Sequence, residues 1–162
     1  MSHKMIAPML LLAALGLASA TAAHSQSVSD ANNTMLAMDM RMRAINAARK
    51  NLQQRYPHQT DRETDAVRDV TDAGTDVVTA AVKVFTVAFM LTGVKCPEDL
   101  RFTQKQFRSV VGLFVTTADT ELSRVNENLH NVTTSATLAE AVKIRDAMVE
   151  LRDFLKPFAA EA

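Results

Sequence analysis

Along most of this chain apolar residues recur at intervals of three and four, the spacing that places them on one face of an α-helix. Met35, Met38, Met42, Ile45 and Leu52 form the first such stripe, predicting a helix from about Ser29 to Tyr56. Val67, Val70, Gly74, Val77, Ala81, Val84, Ala88 and Leu91 form the second, from near Asp61 to Gly93. Phe107, Val111, Phe114, Ala118, Leu122, Val125, Leu129 and Val132 mark a third, opening at Pro97-Glu98-Asp99, whose acids complement a helix N-terminus. Ala141, Ile144, Met148, Leu151, Leu155 and Phe158 mark a fourth, shorter helix after Thr133-Thr134-Ser135, where a hydroxyl can cap it. No run alternates apolar and polar residues between turn dipeptides, so strands are not expected.

Pro57, Pro97 and Pro157 punctuate the chain, each after a helical stretch, since a helix rarely continues through the residue before proline. Four amphipathic segments joined by short loops predict an all-α, up-down-up-down four-helix bundle. Three helices of 28 to 34 residues would be roughly 42 to 51 Å long, making the body elongated. An arrangement of three long coiled helices is the competing architecture.

The first residues follow a different pattern. Lys4 precedes an apolar run from Met5 to Leu17, and small residues continue to Ala23. A basic start, a short apolar centre and Ala18-Ser19-Ala20 compose a cleavable signal peptide. Ala20-Thr21-Ala22 and Ala23-His24-Ser25 would also serve, so cleavage is expected between about 20 and 25. The apolar run is too short for the roughly 20 residues that cross a bilayer, so no stable membrane span is expected after cleavage. The expected division is residues 1–23 as signal peptide and 24–162 as a single helical-bundle domain. An Ala-rich signal and a product without disulfides suit a periplasmic or secreted location.

Beyond the signal lie all 18 acidic residues and 17 of the 18 basic ones, a net charge near −1 that argues against nucleic-acid binding. Cys96 is the single cysteine, so no intramolecular disulfide exists and the fold rests on packing. A lone cysteine is most often a small buried apolar residue, although it can pair between chains or bind a metal.

Several constellations carry candidate chemistry. Met35-Leu36-Ala37-Met38-Asp39-Met40-Arg41-Met42 is dense in thioethers, soft ligands that hold Cu(I) in exported proteins. Antiparallel hairpins would bring Met35 and Met38 toward Met90 and Cys96 at one pole, and these four form the candidate soft-metal site. The competing role of the methionines is core packing, at which Met excels. The opposite pole gathers His58, Asp61, Glu127 and His130, a possible zinc set, with His130 otherwise a cation at a helix end. A di-iron site would need further glutamates and a second Glu-x-x-His, which the chain lacks.

Asp61, Asp65, Asp69, Asp72 and Asp76 share one face of helix two, beside a first helix carrying Arg41, Arg43, Arg49, Lys50 and Arg55. Complementary hairpin faces explain that ladder better than calcium does, because a straight helix cannot wrap oxygens around an ion. The other half of helix two, Val77 to Val94, carries only Lys83 as a charge. That composition fits a buried core, an oligomer interface or a hydrophobe-binding face. No haem-attachment, phosphate-cradling, nucleophile-elbow or zinc-protease motif occurs. Phe102-Thr103-Gln104-Lys105-Gln106 is similar to the Leu-Thr-x-x-Gln motif of the periplasmic helical stress chaperones. It occurs once, where that family has two copies, with Phe in place of Leu, and family membership does not follow from it.

The sequence thus predicts an exported, non-catalytic, cofactor-free helical bundle that binds a protein partner as an inhibitor or chaperone does, or forms a homodimer. The alternatives are a copper carrier using Met35, Met38, Met90 and Cys96, and a bundle that binds lipid or hydrophobic surfaces.

Overall fold

The computed structural model describes residues 20–55 and 61–159, with side-chain environments from Asp30 onward apart from those of Asp61 and Pro97. Residues 1–19 of the expected signal segment lie outside the described residues, and its last four, 20–23, form the first turn of a helix. Four helices follow in order: α1 Ala20–Gln53, α2 Asp61–Gly93, α3 Pro97–Leu129 and α4 Ser135–Ala159. No strand occurs among the described residues. Each helix packs on the next and α4 closes back onto α1, with α2 and α4 the closer diagonal.

Contacts between neighbours fix the registers. Arg49 of α1 meets Thr71 of α2, Asp76 of α2 meets Arg124 of α3, and Asp119 of α3 meets Arg152 of α4. The short connections 94–96 and 130–134 turn each helix back along the one before it, the antiparallel order of an up-down bundle. The core is one cluster running the length of the bundle, from Met38 and Ile45 through Val70, Val77 and Phe114 to Ile144, Met148 and Leu155. It ends at Phe158, whose ring sits edge-on to Phe107 at 6.1 Å and to Phe154 at 5.9 Å. All four predicted stripes therefore point inward.

The differences lie at the ends and on the surface. Helix α1 starts at Ala20 rather than near Ser29, and gives way to a turn at Gln54 and Arg55. Pro157 does not end α4 but lies within its last turn, two residues before Ala159. Cys96 is exposed, not buried: it stands at the N-cap of α3, where Pro97 opens the helix and its carbonyl accepts the Leu100 N–H at 2.9 Å. Nor do Asp65, Asp69, Asp72 and Asp76 of α2 form ion pairs with the basic residues of α1 among the described residues. Among the described ion pairs Asp76 goes to Arg124 of α3 and Asp65 to Arg68 of its own helix. Arg49 instead spends its Nε on the Thr71 carbonyl at 3.1 Å. Position on the wheel explains this, because the ladder faces outward and toward α3.

Candidate docking face

Helix α2 has two long sides of different character. Its inner side supplies Val67, Val70, Val77, Ala81, Val84 and Ala88 to the core. On its outer side Asp65, Asp72 and Asp76 occupy the first half, and Val82, Phe89 and Met90 the second. Phe89 is 63 % exposed, Met90 53 % and Val82 50 %. Segment Arg62–Gly93 is long and apolar enough to cross a membrane by length and composition, yet only 28 % of its most apolar window is buried in the bundle. The expected buried apolar half is therefore core on one side only.

The flanking helices extend this face. On α3, Phe102 and Leu113, 67 % exposed in the latter case, lie on the side that leans toward α2. The antiparallel register set by Asp76 and Arg124 brings Leu113 level with about Val87. On α1, Leu36 and Met40 are one helical turn apart and equally open. These seven are the exposed large apolar residues of the described chain, and none lies on α4. They occupy the half of the bundle nearest the α2–α3 loop, with exposed Lys83, Lys95, Arg101 and Lys105 among and around them. Within the face Thr86 and Thr92 turn their hydroxyls onto the Val82 and Phe89 carbonyls, at 2.9 and 2.7 Å. Those donors are satisfied locally, which leaves the surface between the apolar groups quiet.

The four residues of the candidate soft-metal site divide across the bundle wall. Met35 and Met38 belong to the core cluster, whereas Met90 and Cys96 are exposed. A Cu(I) ion could use all four only if the thioethers of Met35 and Met38 left the core.

At the other pole, His58 lies outside the described residues. No cluster of three or more metal-ligating His, Cys, Asp or Glu side chains occurs among the described ones. His130 ends α3 as its C-cap. The polar centre of that pole is Glu63, which is 2 % exposed. The Thr134 N–H donates to its Oε1 at 3.0 Å, and the Thr133 and Thr134 hydroxyls donate to Oε2 at 2.9 and 3.2 Å. Burial would push this carboxyl up, but the Thr134 amide and then the two hydroxyls hold it below the ordinary glutamate value. The Thr134 carbonyl accepts from Leu138, making Thr134 the N-cap of α4. A carboxylate on α2 thus holds the N-cap residue of α4, and the Thr133 and Thr134 hydroxyls, expected to cap the helix themselves, donate to that carboxylate instead.

Compared with models of protein families, with curated proteins and with solved structures, the chain matches none.

Proposed function

We propose that this protein is exported by a cleavable signal peptide and works outside the cytoplasm, in a periplasm or the medium, as a non-catalytic bundle that docks a protein partner. The observation that carries the reading is the apolar face of α2 with its α3 flank, Val82, Phe89, Met90, Phe102 and Leu113, left open on an otherwise well-closed core. Soluble monomers rarely leave contiguous apolar patches of more than a few hundred Å² exposed, and larger ones mark interaction sites. The basic start and short apolar run of residues 1–17 support export. A lipid surface suits the face less well, because the carboxylates of Asp65, Asp72 and Asp76 continue along the same side of α2 and would be repelled by anionic headgroups.

A photocrosslinking amino acid at Phe89 or Leu113, in the full-length precursor expressed with its leader, tests this. The exported protein should have an intact mass lower by about 20 to 25 residues. A discrete protein adduct should form from these positions and not from Glu150, exposed on α4. Equal labelling from both faces, or none from either, sinks the docking reading; retention of the leader in the cytoplasm sinks export.

A further inference from the structure

We infer that the partner of this face is a second copy of the chain, packed antiparallel with α2 against α2 about a two-fold axis near Thr86. This rests on the reading of the face as a docking surface and goes on to name its occupant.

Area is the first argument. Val82, Phe89, Met90, Phe102 and Leu113 each leave half to two-thirds of the side chain open, together on the order of 500 Å² of apolar surface. A standard stable interface covers about 800 Å² per partner, of which roughly 60 % is apolar. The face is therefore as large as one self-complementary interface needs. A two-fold axis also requires one patch to serve both sides, and a single patch is what the bundle presents.

Charge selects the direction. A parallel pair of α2 helices would set Asp65, Asp69, Asp72 and Asp76 against their own copies, four like-charged turns in succession. An antiparallel pair centred on Thr86 overlaps only the apolar halves and carries those carboxylates outward past each end. It also brings the Asp76 turn of one copy level with Lys95 of the other, a pairing of opposite sign at both rims. Lys83 sits inside the face, and its four-carbon stem can lie along apolar surface while the ammonium reaches the rim.

The mature chain should sediment as a dimer at micromolar concentration. Phe89→Asp should raise the dissociation constant at least 30-fold while the far-ultraviolet circular dichroism stays unchanged, since Phe89 is not part of the core. Glu150→Lys, on α4, should leave the dimer intact. With Cys96→Ser in place, Thr86→Cys should form an intermolecular disulfide readily and Asp65→Cys should not. A monomer at every concentration up to about 100 µM overturns the inference, as does a dimer indifferent to Phe89→Asp or one that crosslinks through Asp65→Cys. Co-sedimentation of a monomer with anionic or zwitterionic vesicles overturns it in favour of lipid. A monomer whose Phe89 photocrosslinks to a different protein overturns self-association and leaves the docking function standing.

Discussion

A carboxylate as enclosed as Glu63 survives in a fold only where donors replace the water it gives up. Here one amide and two hydroxyls do so, and the cap they form ties the first turn of α2 to the start of α4. Glu63→Ala should cost about 2 kcal/mol, because it removes charge-assisted bonds and leaves the Thr134 amide unpaired. Glu63→Gln keeps one acceptor and should cost about 1 kcal/mol. Denaturant titration reads both. The sign of the pH effect follows from the lowered carboxyl: the cap's contribution is complete above the ordinary value of 4.5 and is lost as pH falls through the folded value. Glu140 adds in the same direction, held low by the Lys143 ammonium against its burial, with Asn51 and Arg55 assisting. Glu121 works the other way: burial raises it, Arg124 opposes and Asp76 reinforces. Glu63→Gln should therefore flatten the loss of stability as pH falls below about 4.5, and an unchanged slope would remove Glu63 from the account. None of this was legible beforehand. Thr60-x-x-Glu63 has the spacing of a capping box for α2 itself, and a local pattern cannot reveal that the side chain reaches another helix.

At the level of whole helices, the number, order and inward stripes of the bundle could be read from the spacing of apolar residues, because burial and periodicity are the same fact for a helix. What spacing does not convey is how far the apolar surface spreads beyond the core stripe. Phe89 and Leu113 are adjacent in sequence to the buried Ala88 and Phe114, and one residue, a rotation of about 100°, moves each of them outside. The expected soft-metal set is split in burial for the same reason, with Met38 enclosed and Met90 exposed. Glycine positions sharpen the contrast between sides. A β-carbon on Gly74 would stand 2.9 Å from the Arg49 Cδ and 3.2 Å from the Ile144 Cγ2, so α1 and α4 approach α2 closely there. One on Gly112 would meet nothing within 4 Å. Gly112→Ala should stabilise the protein by about 0.8 kcal/mol through helix propensity alone. Gly74→Ala should lose that gain to overpacking and come out about 1 kcal/mol less stable. Thermal unfolding of the pair should thus shift in opposite directions, and a shared sign would show that Arg49 yields freely.

Among the described residues, every pair of neighbouring helices is joined by at least one contact outside the core as well as by the core itself. Arg49 bonds the Thr71 carbonyl between α1 and α2, and Arg124 reaches Asp76 at 3.3 Å between α2 and α3. Arg152 bonds Asp119 at 3.0 Å between α3 and α4, and the Arg41 guanidinium lies 4.3 Å from the Phe154 ring centre between α4 and α1. Exposed pairs of this kind are worth little each, but they favour one axial register among several that smooth Ala- and Val-rich stripes would tolerate. The threonines serve the same body in another way. Thr71, Thr75, Thr103, Thr116, Thr117 and Thr120 each return a hydroxyl to the carbonyl four residues earlier, so β-branched residues sit in long helices without stray donors. The Glu63 contact spans 71 residues to Thr134. It closes only after α2, α3 and the turn before α4 have met, which makes it a late event in assembly and an early one in its reversal. Its loss should leave the folding rate nearly constant and speed unfolding roughly 30-fold, the full equilibrium cost read on one limb of a stopped-flow chevron. In the exported role proposed above, with no cytoplasmic refolding machinery at hand, the lifetime of the native state depends on that second rate, and a single enclosed carboxylate governs much of it.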